Sequence, residues 1–316
     1  MEDLIFCLNA TMPIFLMMVL GYVLKLTGLV DEGFAKKLNS FVFKVSLPVM
    51  LFQDLAVVDF ATAWNGKFVL FCFVATVISI TIAFLISLLL RNKVERGEFI
   101  QGTYRSSAAI LGLAFIQNIY GTSGMAPLMI IGSVPLYNIC AVIVLSVFAP
   151  DNQGKKIDGA LVKRTLIGIC KNPIILGILA GLIWSALSIP MPTIMLNTVS
   201  KVGATAAPLG LISMGALFEM KEALKSGKTA VLATFIKLIG YAAIFIPIAI
   251  KLGFRNEEMV AILVMLGSAT TVSTYVMAKN MGYKGTLTSA IVALTTLLAS
   301  FTLTGWLYVL RIVDVI

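Results

Sequence analysis

Long apolar segments separated by short polar connections run along the whole chain. Each segment has about 20 residues, the length that a helix needs to cross the hydrocarbon core of a bilayer. The pattern predicts an all-α polytopic membrane protein with ten transmembrane helices. The predicted spans, numbered one to ten, are residues 4–27, 34–56, 67–91, 99–120, 124–149, 165–187, 193–218, 228–252, 258–281 and 285–310.

The ten spans consist of two copies of a five-span unit. A shift of 160 residues aligns seven identical residues without a gap, among them two prolines and a glycine. The aligned pairs are Pro13 and Pro173, Ile14 and Ile174, Leu16 and Leu176, Gly21 and Gly181, Ser40 and Ser200, Pro48 and Pro208, and Leu51 and Leu211. Because five is odd, the second copy must enter the membrane in the opposite orientation. Inverted repeats are typical of secondary transporters, where two related halves expose one central site to either side.

The basic residues predict the orientation of the chain. With the N-terminus outside, 15 Lys and Arg residues lie in the inside connections and 4 in the outside connections and tail. Cytoplasmic loops carry the excess of Lys and Arg, so we expect both termini outside the cell membrane. A polar connector at 150–164 joins the first repeat, 1–149, to the inverted second repeat, 165–316.

Composition indicates lipid as the solvent and argues against other classes. The 316 residues are 59% hydrophobic and 12% charged, with a mean hydropathy of +1.00, whereas soluble domains have about 25% charged residues. The net charge of +9 comes from short loops, which argues against a nucleic-acid partner. The chain has no histidine and no CxxC spacing, so we expect neither a metal site nor a cofactor. No Walker, GxSxG or HExxH motif is present, so we do not expect an enzyme.

Spans four and nine carry the candidate site. Both are rich in small and hydroxyl residues, with Ser106 and Ser107 in span four and Thr270 and Thr271 in span nine. Such stretches can unwind because hydroxyls satisfy the freed backbone groups, and the half-helix N-termini created there suit a carboxylate. The alternative is that the small residues only allow close helix packing. The repeat favours a site, since both stretches lie in the fourth span of their half.

The charges inside the predicted spans are mostly basic. Arg105 and Lys44 lie in apolar context, where insertion of a charge costs about 2.5–3.5 kcal/mol, and acidic residues are almost absent from the span centres. This bias favours an anionic substrate that meets Arg105 and the four hydroxyls, with Asn39 and Lys44 contributing from span two. Snorkelling of the side chain to the membrane surface is the alternative for both cations, and it is our interpretation of Lys237.

Several short motifs, degenerate one by one, occur in a specific order along the chain. They are Tyr104-Arg105-Ser106-Ser107 followed by Gly112-Leu113-Ala114 and Tyr120-Gly121, then Lys171-Asn172-Pro173, the run from Ala207-Pro208 to Gly215-Ala216, and Tyr275-Val276-Met277-Ala278-Lys279. In these motifs the chain resembles the auxin efflux carrier family, which includes bacterial organic-acid carriers and the plant PIN proteins. The resemblance covers nearly the whole length.

The resemblance implies that the spans form two domains with different roles. Spans one, two, six and seven (within 1–58 and 165–220) would form a scaffold and the face of a homodimer, and the rest (67–149 and 228–316) a moving transport domain. Spans four and nine would be interrupted and cross beside the substrate at Ser106–Ser107 and Ala269–Thr270. The family commonly has asparagine at Ser107 and proline at Ala114 and near Ala269, so here the interruptions would depend on Ser, Thr and packing.

Two further hinge points come from prolines. Pro48 and Pro208 lie at equivalent depths of spans two and seven, where each removes a helical hydrogen bond and predicts a kink.

Together these features predict a secondary transporter of small organic anions that works by alternating access. The substrates would be mono- or dicarboxylates such as malate, malonate or auxin-like acids, and coupling to H⁺ or Na⁺ stays open. One alternative is a sodium-coupled carrier similar to the bile-acid transporters, against which the shortage of acidic residues argues. The other is a membrane sensor or scaffold that has lost transport, suggested by the missing prolines and asparagine.

Overall fold

The computed structural model describes residues 13, 16–56, 65–108, 116, 119–120, 125–150, 167, 171–218 and 227–316, and its regular structure in these parts is helical throughout. In chain order the helices are α1 (Leu16–Leu26), α2 (Glu32–Phe41), α3 (Leu47–Ala56), α4 (Gly66–Leu88), α5 (Arg96–Tyr104), α6 (Ala126–Val147), α7 (Pro173–Ala186), α8 (Thr193–Ala204), α9 (Ala206–Ala216), α10 (Gly227–Phe235), α11 (Tyr241–Lys251), α12 (Asn256–Gly267), α13 (Ser273–Asn280) and α14 (Thr286–Ile312). Turns of π-helix join α2 to α3 (Val42–Ser46) and α10 to α11 (Ile236–Gly240). Nearly all of the predicted connector, the start of span one, and Gly112, Leu113, Ala114 and Gly121 lie outside the described residues.

The spans differ in how far their helices are interrupted in the described part of the chain. Four helical stretches are long and apolar enough to cross a membrane: Gly66–Leu88, Leu128–Val147, Gly227–Lys251 and Thr286–Ile312. They coincide with predicted spans three, five, eight and ten, and the predicted all-α membrane class is confirmed at this level. Spans two and eight each contain a π-helical turn, span seven breaks at Thr205, and spans four and nine lose helical structure at 105–107 and 268–271.

The irregular spans four and nine lie in the interior of the bundle. In α5 every residue from Gly97 to Tyr104 is buried, and so is every residue of α12 from Met259 to Gly267. The continuous helices around them expose large apolar side chains, for example Leu70, Ile248 and Phe301. The bundle therefore has a buried interrupted centre and an apolar outer surface suited to lipid.

Side-chain caps determine where several helices begin. The side chain of Asp31 accepts a hydrogen bond from the N–H of Phe34 at 2.6 Å, Asn65 caps α4, and Asn172 caps α7. Each cap satisfies one of the N–H groups that the first turn of a helix leaves free.

Glu98 caps a helix in the other half of the chain. Its carboxylate is buried and accepts hydrogen bonds from the N–H (2.9 Å) and hydroxyl (2.8 Å) of Thr288, and from the N–H of Gly285 at 3.3 Å. The positive end of the α14 dipole stabilises a negative charge at this place. Glu98 thus joins α5 to α14.

Two glycine contacts between the first and second half of the chain correspond under the shift of 160 residues. A Cβ atom at Gly21 would lie 2.9 Å from the Cα of Ile212, and one at Gly181 would lie 3.1 Å from the Cα of Phe52. The shift of 160 residues carries Gly21 to Gly181 and Phe52 to Ile212, so each contact is the other with the two halves exchanged. Glycine permits this approach of two helix backbones because it has no side chain.

Spans two and seven meet at their irregular turns. The Ser46 hydroxyl in the π-helical turn lies 2.8 Å from the Thr205 hydroxyl at the break between α8 and α9. Pro48 and Pro208 are the second and third residues of α3 and α9, directly after these turns. The altered hydrogen bonding of such turns accommodates a residue without an N–H.

Candidate functional site

Spans four and nine contact each other where both lose helical structure. After the end of α5, Arg105 is extended (φ −73°, ψ 139°), and after α12 Ser268 is extended (φ −80°, ψ 168°). The N–H of Ser107 donates to the carbonyl of Ala269 at 2.9 Å. The two unwound stretches are therefore joined through their backbones at two of the residues where a crossing was expected.

Side chains from several spans satisfy the backbone groups that the breaks release. The Thr270 hydroxyl donates to the carbonyl of Gly102 at 2.8 Å, and the Thr270 N–H donates to the Thr295 hydroxyl at 3.1 Å. The Ser106 hydroxyl donates to the carbonyl of Met265, which also accepts from the Tyr137 hydroxyl at 3.1 Å. Because an unsatisfied buried polar group costs about 2–7 kcal/mol, these hydroxyls stabilise interruptions that have no proline near Ala269. Ala114, the other position without the family's proline, lies outside the described residues.

Arg105 is a buried cation held only by uncharged groups. Its side chain is 1% exposed, and Nη2 donates to Ser273 at 2.6 Å and to the Asn138 side-chain oxygen at 2.8 Å. Nη1 contacts the Met277 sulfur at 2.8 Å and the Gln101 side-chain oxygen at 3.4 Å. Its Nε has no hydrogen-bond partner, and no carboxylate in the described part of the chain forms an ion pair with it. The hydrogen-bond partners of this positive charge among the described residues are therefore neutral.

Arg105 lines a cavity of about 40 Å³ between span two and the crossing. The walls come from α3, the break in span four, α6 and the start of α13: Leu47, Met50, Leu51, Asp54, Arg105, Ser106, Ser107, Ala108, Val134, Tyr137, Asn138, Thr271 and Ser273. A second cavity of about 70 Å³ shares Leu47, Met50, Ser107, Thr271 and Ser273 with the first and extends along α9. The two cavities thus lie between α3 and α9 on one side and the crossing on the other.

Four of the seven predicted substrate-binding residues line the first cavity: Arg105, Ser106, Ser107 and Thr271. Thr270 is buried beside them, but its hydroxyl is bonded to the carbonyl of Gly102.

The two residues predicted from span two lie elsewhere. Asn39 is buried and does not line either cavity; its carbonyl accepts from the Asn280 side chain at 3.4 Å and its side-chain oxygen has no partner. Lys44 is exposed on the outer face of the π-helical turn and also lines neither cavity.

Sequence reasoning missed Asp54 as a member of the site. Asp54 lies near the end of predicted span two, and it lines the cavity together with Leu47, Met50 and Leu51. These four positions have the three- and four-residue spacing of one helix face, a signal that was present in the sequence. Asn138, a polar residue in the apolar span five, was a similar signal.

Lys237 corrects one interpretation. It is 0% exposed, and its ammonium donates to the Ser106 hydroxyl at 2.5 Å and to the carbonyl of Leu266 at 2.6 Å. Snorkelling is therefore wrong for this lysine, because its side chain contacts the crossing from the π-helical turn Ile236–Gly240 and does not reach the membrane surface. A π-helical turn inside an α-helix often marks a functional site.

Comparison with known families matches residues 6–307 to the model of the membrane transport protein family. The chain belongs to this family. The match confirms the resemblance indicated by the motifs of spans four and nine, and it identifies a multi-pass membrane transporter and not an enzyme. Over 310 residues, 95% of this chain and 94% of the other, the chain is 25% identical to a protein of Rhizobium meliloti (strain 1021) named "Putative malonate transporter".

Proposed function

We propose that this transporter is a secondary carrier of small organic anions, mono- or dicarboxylates, in the cell membrane. The observation that carries the proposal is Arg105, a buried cation that lines a cavity and has no carboxylate partner in the described part of the chain. A buried charge without a partner is expensive. An anionic substrate supplies the missing countercharge.

The rest of the cavity suits a carboxylate. Ser107, Thr271 and Ser273 bring hydroxyl donors, and Ser273 is also the first residue of α13, whose positive dipole end faces the same place. The guanidinium of Arg105 adds its positive charge and the N–H of Nε, the one of its nitrogen atoms without a partner among the described residues, as a donor for a carboxylate. The small cavity favours small acids, and the similarity to a protein named as a malonate transporter makes malonate the first candidate.

Alternating access follows from the arrangement of the spans that we propose, ten helices in two inverted five-helix repeats. The exchanged glycine contacts Gly21–Ile212 and Gly181–Phe52 support this arrangement, as do breaks at similar positions of spans four and nine. Two halves related in this way can present one site to either side of the membrane in turn. Both chain termini lie outside in this arrangement, as the distribution of basic residues favours.

The position of the cavities supports a division into scaffold and transport domain. Spans one, two, six and seven form the scaffold in this proposal, and α3 and α9 supply its walls of the two cavities. Movement of the crossing spans past these walls carries the bound anion. Exposed apolar side chains on α1 and α8, such as Leu16, Leu26 and Ile194, provide the face of a homodimer.

Uptake by proteoliposomes that contain the purified chain tests the function. Radiolabelled malonate, malate, succinate, acetate and indole-3-acetate would be offered one at a time, with empty liposomes as the blank. We expect saturable uptake of at least one acid and its loss in Arg105→Gln. A folded protein that transports none of them, or an Arg105→Gln variant that transports as well as the wild type, would overturn the proposal.

A further inference from the structure

Lys237 places a second positive charge at the crossing of spans four and nine. One residue, Ser106, separates it from the cavity. Its ammonium contacts the hydroxyl of Ser106, which lines the cavity, and the carbonyl of Leu266 near the end of α12. No carboxylate of the described residues forms an ion pair with it. The lysine is therefore bound by neutral oxygen atoms alone.

These oxygen atoms lie at the negative end of a broken helix. The carbonyls of Met265 and Leu266 belong to the last turn of α12, which ends at Gly267. Ser106 donates to the carbonyl of Met265 and accepts from Lys237, so it joins the two. Carbonyls at the C-terminal end of a half-helix carry partial negative charge, and in secondary transporters such ends coordinate a coupling cation.

We infer that Lys237 is a tethered cation that occupies the place of a coupling metal ion, so that this carrier works without sodium. The part of the inference that concerns transport rests on the proposed anion carriage; the part that concerns cation binding does not. The ammonium neutralises the end of α12, and the crossing needs no ion from solution.

A role in packing alone does not explain this lysine. Neutral donors such as the hydroxyl of Tyr137 already satisfy a carbonyl of the same turn, and an apolar residue or a threonine would avoid the cost of burying a charge. Lys237 lies in a π-helical turn, and the indole N–H of Trp306 donates to the carbonyl of Leu238 in the same turn at 3.2 Å. The local structure thus accommodates a cation at this one place.

Thermal unfolding of the purified full chain tests the site without reference to transport. The wild type, Lys237→Ala and Lys237→Asn would be measured in NaCl, LiCl and N-methyl-D-glucamine chloride at equal ionic strength. We expect a sodium-dependent shift of less than about 1 °C for the wild type and a rise of about 2–4 °C in the variants, in which a free ion replaces the ammonium. The asparagine variant adds an oxygen ligand and provides a second test if the alanine variant does not fold.

Lys251→Met is the matched control, because Lys251 lies exposed at the end of the same span and should leave the sodium response at the wild-type level. A sodium-dependent rise in the wild type would overturn the inference even if neither variant folds. Folded variants that are indifferent to sodium and lithium would overturn it as well.

Uptake of malonate measured in the same salts tests the part of the inference that concerns transport. We expect the wild type to take up malonate at the same rate with sodium and with N-methyl-D-glucamine, and a strict requirement for sodium would contradict the inference. If no acid is transported at all, the proposed function fails while the unfolding measurements still decide whether Lys237 occupies a cation site.

Discussion

Arg105 and Lys237 are both buried cations at the same crossing, but they have different surroundings. Lys237 contacts a carbonyl at the end of a half-helix and a hydroxyl that is itself bonded to the next carbonyl. Arg105 contacts side chains from three spans and also faces a cavity. The charge of Lys237 is thus matched within the fold, whereas the charge of Arg105 is left for something that enters the cavity.

The difference separates stability from transport. Removal of a cation that neutralises the backbone leaves buried carbonyls without a donor and should destabilise the protein. Removal of a cation that faces a cavity should mainly weaken ligand binding. Five variants test this separation, and they are ordered by the size of the expected effect.

Replacement of Arg105 by glutamine should have the largest effect, on uptake. Loss of one partner of a buried charge pair costs about 2–5 kcal/mol, so we expect the apparent affinity for malonate to fall by roughly 30-fold to several thousand-fold. Uptake measured against malonate concentration gives this value. Arg91→Gln is the matched control, because Arg91 is exposed in a connection. A similar loss in both variants would contradict the special role of Arg105.

Replacement of Lys237 by methionine should mainly lower stability. The change leaves the carbonyl of Leu266 and the hydroxyl of Ser106 without their donor, at a cost of about 1–3 kcal/mol for each buried group. Thermal unfolding in sodium-free buffer should show a clear decrease relative to Lys251→Met. An unfolding temperature equal to that of the control would remove the distinction between the two cations.

Thr270 and Thr271 provide the same comparison between a structural residue and a cavity residue, with smaller expected effects. Thr270 is bonded to the carbonyl of Gly102, while Thr271 lines the cavity. We expect Thr270→Val to lower stability by about 0.5–1.5 kcal/mol, the net value of one hydrogen bond. Thr271→Val should change malonate uptake more than unfolding. The reverse result, measured by the same two assays, would place the ligand on the other side of span nine.

Replacement of Asp54 by asparagine should have the smallest effect and the opposite sign. Asp54 lines the same cavity as Arg105. When it is ionised it is negatively charged, like the proposed substrate, and repels it. Loss of this charge at a partly solvated site should improve the apparent affinity for malonate by a few-fold, in line with about 1 kcal/mol. Concentration-dependent uptake measures the change, and a weaker affinity would show that Asp54 assists binding.

The candidate site was predictable to the extent that it depends on residue type. Ser106, Ser107 and Thr271 could be chosen because hydroxyl residues clustered in an apolar span indicate a polar site, and they do line the cavity. Lys44 and Lys237 could not be told apart from the sequence, since both are lysines in apolar segments. One is exposed and the other is fully buried, although a π-helical turn contains each of them.

The missed residues show what a linear pattern leaves out. Asp54 belongs to the cavity because α3 presents the face that contains Leu47, Met50 and Leu51 to the crossing. The amphipathic spacing was visible, but the partner of that face was not. Asn138 contacts Arg105 across a separation of 33 residues, and such a pair arises only from packing of span five against span four.

The apolar pattern of the chain was sufficient for the membrane class and for the approximate positions of spans three, five, eight and ten, because these depend on length and hydropathy along one dimension. The pairing of groups at the crossing depended on the tertiary structure. Hydrogen bonds such as Ser107 to Ala269 and Lys237 to Leu266 join residues far apart in the chain, and they exist because each break exposes backbone groups that only a neighbouring span can satisfy. The packing of the spans therefore decided which of two similar cations stabilises the fold and which one faces the cavity.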